Sequence, residues 1–116
     1  MMDFNFVYKI CTKEEWDLAK KNGQFKGSNK DIEDGFIHFS DKDQVKGTLN
    51  KYFFKQNNLI LLKIDALKLK NLIYEQISDG SIFPHLYDSL DISNVIEEYK
   101  IELNENGFHN IPIEII

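Results

Sequence analysis

At 116 residues the chain has room for one domain, spanning 1–116, and a chain of that size buries roughly two thirds of the surface its unfolded form exposes, so neither a disulfide nor a metal is needed for folding. Its composition is that of an ordinary globular protein, 42% hydrophobic and 28% charged, with nine Phe, five Tyr and one Trp to fill a core. The net charge of −5 and the absence of arginine speak against a nucleic-acid partner, and no apolar run approaches the roughly 18–20 residues of a membrane span.

The N-terminus, Met-Met-Asp-Phe-Asn, lacks a basic region followed by an apolar stretch, so no secretory leader and a cytoplasmic location are expected. Residues 4–10 form a first strand, rich in aromatic and β-branched side chains. Cys11 follows that apolar run as the lone cysteine, which reads as a buried core thiol in a reducing compartment. Thr12-Lys13-Glu14-Glu15 matches a capping box and opens a helix that stops at Asn22-Gly23, with Trp16 and Ala19 turned inward. Residues 24–35 are polar and irregular and end in the turn signal Asp34-Gly35.

Phe36-Ile37-His38-Phe39-Ser40 is a short strand with Ile37 and Phe39 on one face and Phe36, His38 and Ser40 on the other. Ser40 has the chemistry of an N-cap for a second helix that carries Val45, Leu49, Tyr52 and Phe53 as an amphipathic stripe. Leu59–Asp65 is almost continuously apolar, the pattern of a central strand covered on both faces. Residues 71–76 alternate, with Ile73 and Glu75 opposite Leu72 and Tyr74, and Ser78–Ser81 turn the chain into Phe83-Pro84-His85-Leu86-Tyr87. Ser93–Leu103 fits helix or strand, with strand favoured. Residues 104–110 are polar, with His109 solvated, and Ile111–Ile116 would add an edge strand.

Six positions can carry chemistry. His38 lies between two apolar residues and shares a face with Ser40, whose capping role is a sufficient structural reason for its presence. Pro84 fixes an extended backbone in which Phe83, His85 and Tyr87 share a side. A histidine between two rings suits a planar ligand and equally suits an aromatic core. Glu75 sits inside a strand, where a carboxylate either meets solvent at an edge or accepts hydrogen bonds from a ligand. The metal, dinucleotide, phosphate-loop and nucleophile-elbow patterns are all missing, so no metal cofactor is expected.

Val7-Tyr8-Lys9-Ile10, Trp16, Asp34 to Ser40, Leu61–Asp65, Tyr74-Glu75 and Phe83 to Tyr87 closely resemble domain-of-unknown-function family 952 over about residues 6–100, leaving 104–116 as a C-terminal extension. The resemblance implies an α+β domain of the ADP-ribosyltransferase-like group, with a split, mostly antiparallel sheet and helices packed on it. In that group a first-strand His followed two residues later by Ser or Thr holds NAD, a pattern matched by His38 and Ser40. The acidic position would fall on Glu75 and the later aromatic or His position on His85 or Tyr87, with Phe83 beside them. The tRNA 2′-phosphotransferases of the group hold phosphate with arginine, which this chain lacks.

Three functional classes follow. One is an NAD-dependent ADP-ribosyl transferase using Glu75 and His85, with NAD held by His38, Ser40, Phe83 and Tyr87. The second is a non-catalytic module that binds a related nucleotide or small anionic metabolite. The third is a different small-molecule transferase; a glutathione-transferase role sits poorly with 116 residues, too few for a thioredoxin-like domain plus a helical one. Fold resemblance does not choose among them.

Overall fold

The computed structural model describes residues 4–115. Strand β1 (Phe6–Thr12) runs into helix α1 (Lys13–Asn22) through the expected capping box: the Thr12 side chain accepts from the Glu15 amide and Glu15 accepts from the Thr12 amide. Gly23 ends the helix in the left-handed conformation at φ 79°, and Trp16 and Ala19 are its buried residues. After a two-residue strand β2 (Gln24–Phe25) the chain forms a second helix, α2 (Asn29–Asp34), where an irregular segment was expected. The reason is a second capping box, in which Ser28 accepts from the Asp31 amide and the Asp31 carboxylate accepts from the Ser28 amide. Gly35 closes this helix, also left-handed.

Strand β3 is only Ile37–His38. Ser40 does not cap the next helix as expected. Asp41 precedes a 3-10 turn over Lys42–Gln44, with the Gln44 amide oxygen accepting from its backbone, and α3 (Val45–Tyr52) continues from there with Val45 and Leu49 inward. Strands β4 (Leu59–Asp65), β5 (Leu72–Gln76), β6 (Ile82–Leu86), β7 (Leu90–Asp91), β8 (Val95–Leu103) and β9 (His109–Asn110) complete the sheets. The chain past β9 does not add the expected edge strand: Ile113–Ile115 is a 3-10 turn with Ile115 buried, and Ile116 lies outside the described residues. His109 is half-buried rather than solvated, with Nε2 2.7 Å from the Gln56 carbonyl.

The fold is α+β, and its paired strands are all antiparallel. They divide into a four-stranded sheet (β1-β4-β8-β9), a three-stranded sheet (β3-β6-β5) and a short β2–β7 pair. Tyr8 of β1 and Ser40, just past β3, exchange two backbone hydrogen bonds of 2.8 Å and join the first two sheets edge to edge. Strand β4 lies between β1 and β8 and has apolar residues on both faces. Ile60, Leu62 and Ile64 enter a core with Trp16, Phe25, Ile37 and Leu86, while Leu59 and Leu61 pack with Val45 and Leu49 of α3. Cys11 is buried in the first core, and burial, followed by the nearby Glu15 carboxylate, pushes its thiol up to about 12. No helix among the described residues is long and apolar enough to cross a membrane.

This division gives the three-stranded sheet two unlike faces. Ile37, Leu86, Leu72 and Tyr74 face the core. On the other face, antiparallel pairing sets His38 opposite His85, Ile73 opposite His85 and Glu75 opposite Phe83.

Candidate functional site

The site is built outward from a buried carboxylate. Asp31, on α2, has a fully covered side chain and accepts from four donors: Lys9 Nζ at 2.8 Å, His38 Nδ1 at 2.6 Å, the His38 amide at 3.1 Å and the Ser28 amide at 2.9 Å. Burial acts to raise its pKa, but the hydrogen bond from His38, the charge and hydrogen bond of Lys9 and the Ser28 amide outweigh it. The carboxyl is held well below the usual carboxylate range. Lys9, on β1, is buried as well, sits 5.9 Å from the Phe25 ring and donates to the His38 carbonyl at 3.1 Å. The close approach of the loop before α2 depends on Gly27, at φ 113°, where an added Cβ would lie 2.7 Å from the Asp31 Cβ.

An ionised carboxylate only accepts, so His38 carries its proton on Nδ1. Its Nε2 lies 3.0 Å from Asp34 Oδ2, so the ring stands between two carboxylates. Across the β3–β6 pair, His85 Nδ1 is 2.8 Å from Glu75 Oε1, and the Tyr87 hydroxyl donates to the same oxygen at 2.6 Å. The hydrogen bonds from Tyr87 and then His85 lower the Glu75 pKa, and the same carboxylate raises that of Tyr87. By the argument used for His38, His85 also holds a proton on Nδ1. Its Nε2 bonds to none of the described residues.

Phe36 ties the two pairs together. Its ring stacks on His85 at 4.1 Å with 25° between planes, and lies 4.6 Å from His38 and 5.2 Å from Tyr87, while the two imidazoles are 5.6 Å apart. His38, Glu75, His85 and Tyr87 thus meet on one sheet face. Phe83 is placed on that face by its pairing with Glu75. Ser40 is not brought to the cluster. It is buried, with its hydroxyl 3.0 Å from Thr48 of α3.

Neither imidazole lines the hollow nearest this cluster. That hollow has a volume of about 290 Å³, and its lining includes Asp31, Phe36 and Tyr87. A second hollow, of about 320 Å³, lies by Trp16, where the indole donates to Glu98 at 2.9 Å. Among the described residues no group of His, Cys, Asp and Glu side chains is arranged to hold a metal ion.

Sequence reasoning missed Asp31, Lys9 and Asp34 as parts of the site. A signal for Asp31 was present in Ser28-Asn29-Lys30-Asp31, whose spacing is that of a capping box; nothing in a single sequence marks Lys9 as buried.

None of the curated proteins matches the chain. Among solved structures, the crystal structure of protein CC0527 from Caulobacter crescentus is 40% identical, covers 95% of this chain and 97% of its own and superposes with a TM-score of 0.90. The solution structure of the same protein is 42% identical over 89% of this chain and 90% of its own, with a TM-score of 0.80. The family described as "Protein of unknown function (DUF952)" matches residues 10–98, a span that holds Asp31, both histidines, Glu75 and Tyr87. The chain belongs to the DUF952 family.

Proposed function

We propose that this domain binds a nucleotide or similar small anionic metabolite on the outer face of its three-stranded sheet, with the partly exposed His38 and the largely buried His85 as the polar contacts. One observation carries the reading: two imidazoles, each held through Nδ1 by its own carboxylate, converge on a single aromatic ring beside a hollow. Carboxylates that orient imidazoles prepare the remaining nitrogens for a partner. An anionic ligand oxygen would take the place on His38 Nε2 that the partly exposed Asp34 carboxylate holds. His85 Nε2, which bonds to none of the described residues, would be the atom to hydrogen-bond a ligand hydroxyl.

NAD and ADP-ribose head the candidates because of the ADP-ribosyltransferase-like resemblance. A transfer reaction would use Glu75 and His85, with Glu75 stabilising positive charge that develops on the ribose. The buried Ser40, bonded to Thr48, favours instead the second reading, a module that binds a related nucleotide without transfer chemistry.

The test is a thermal-shift and calorimetry panel of NAD, ADP-ribose, mononucleotides, cyclic nucleotides and glutathione. A ligand at one hundred times its dissociation constant adds about 2.7 kcal/mol, which for a domain of this size raises Tm by about 10 °C. Release of nicotinamide from NAD distinguishes transfer from binding. If no member of the panel shifts Tm at millimolar concentration, the reading is wrong.

A further inference from the structure

We propose that the hollow bounded by Lys26, Ile32, Phe36, Tyr87, Asp88 and Ser89 is a subsite for a heteroaromatic ring that carries an anionic group, a ligand of mononucleotide size. The proposal rests on the sheet-face reading above and extends it to a surface on which neither histidine lies.

Size comes first. At about 290 Å³ the hollow is at the lower end of small-molecule sites, which run from about 300 to 1,000 Å³. One ring and its sugar fit that space. Shape and chemistry narrow the class further. Phe36 gives one face to the His85 imidazole and also lines the hollow, so a flat ring entering there would lie against an aromatic wall. Tyr87 and Ile32 supply more apolar surface at the mouth, 42% and 64% exposed, which a bound ring would cover.

The polar lining matches a substituted heterocycle better than a plain hydrocarbon. Lys26 is the one cation of the lining, is exposed, and forms no ion pair among the described residues. Asp31, also in the lining, already has Lys9 and His38 as partners, so it leaves the Lys26 charge available for an anion. The Asp88 carboxylate accepts the Ser89 amide at 2.8 Å and has lone pairs left for a ring amino group. The Ser89 hydroxyl donates to Gln24 and can still accept.

The experiment is an amide NMR titration of the whole chain with adenosine 5′-monophosphate, adenosine, ribose 5-phosphate and inorganic phosphate. The monophosphate is expected to shift the amides of Lys26, Gly35 and Ser89 together with those of His38 and His85, and adenosine the Gly35 and Ser89 amides more weakly. Ribose 5-phosphate should leave Gly35 and Ser89 unmoved. Phe36→Leu is expected to weaken the monophosphate on the order of tenfold. Lys26→Gln, at an exposed position and so safe for folding, is expected to weaken the monophosphate about threefold while leaving adenosine unchanged. Shifts at His38 and His85 with none at Lys26, Gly35 and Ser89 would overturn the subsite and leave the sheet-face reading standing. Absence of any shift with all four probes overturns the subsite, and the metabolite panel then judges the sheet-face reading by itself. Equal weakening of adenosine and the monophosphate by Lys26→Gln would overturn the anion contact.

Discussion

Replacing Asp31 by alanine removes at once the acceptor for Lys9, the His38 ring, the His38 amide and the Ser28 amide. The Lys9 side chain is only 6% exposed, so its ammonium would be left nearly dry without its carboxylate. Breaking a buried pair by removing one partner costs about 3–5 kcal/mol, a large part of the 5–15 kcal/mol that typically holds a domain folded. Urea denaturation reads the loss: with m of about 1–3 kcal/mol per molar, the midpoint falls by at least about 1 M. Asp31→Asn keeps an acceptor for the backbone amides yet still strands Lys9, so it should also be costly, and adding Lys9→Met should restore a substantial part of the loss. Acid sharpens the test. Folding lowers the proton affinity of Asp31, so the unfolded chain takes up the proton first as pH falls. Its contribution is fully present above the unfolded value of about 3.9 and disappears as pH falls through the folded one. The variant should therefore lose less stability than the parent between about pH 5 and pH 2. An Asp31→Ala protein within about 1 kcal/mol of the parent, or no relief from Lys9→Met, would refute the account of this network.

Gly27→Ala places a Cβ 2.7 Å from that of Asp31 at a φ of 113°, and should lower stability by more than about 1 kcal/mol in the same urea assay. Tyr87 should ionise above the ordinary tyrosine value of about 10 because its hydroxyl donates a hydrogen bond to the Glu75 carboxylate, and Glu75→Gln should bring it down; absorbance titration at the phenolate band, with Tyr87→Phe as the blank, measures this. Cys11, 1% exposed and with its thiol pushed up to about 12, should resist a disulfide reagent in the native protein and react at once in denaturant.

What could be read in advance was what local chemistry writes into neighbouring residues. The Thr12 box, the inward Trp16 and Ala19, the doubly covered β4 and the alternation of β5 all follow from spacing within a few positions. The same rule predicts a helix at Ser28-Asn29-Lys30-Asp31, but the six-residue α2 offers no apolar stripe to reinforce it. Ser40 misled for the opposite reason. Serine before a helical pattern has the chemistry of a cap, yet its backbone is taken by the bridge to Tyr8, and the turn begins one residue later at Asp41. Lys9 was beyond reach. A lysine within a strand reads as a solvated position, and only the tertiary placement of Asp31 makes its burial tolerable.

That placement also explains why the candidate site lies where the two larger sheets meet. Tyr8 and Lys9 are adjacent on β1, so their side chains leave opposite faces of the strand. The Tyr8 backbone joins the edge of the four-stranded sheet to Ser40, while the Lys9 side chain crosses to Asp31 and the His38 carbonyl. Any slip of β1 by one residue would put Lys9 on the other face and withdraw the ammonium from Asp31. His38 would then lose the fixed carboxylate at its Nδ1, and with it the orientation of Nε2 toward Asp34. The register of β1 against β4 is thus held by more than apolar pairing, because the buried charge pair is satisfied in one alignment only. By contrast the His85–Glu75–Tyr87 group is contained within the β5–β6 hairpin and the residue following it. The two halves of the site therefore depend on different parts of the fold. Asp31→Ala should disturb His38 while leaving the Tyr87 ionisation in place, and a Tyr87 titration that changed with Asp31→Ala would show that the halves are coupled through Phe36 instead.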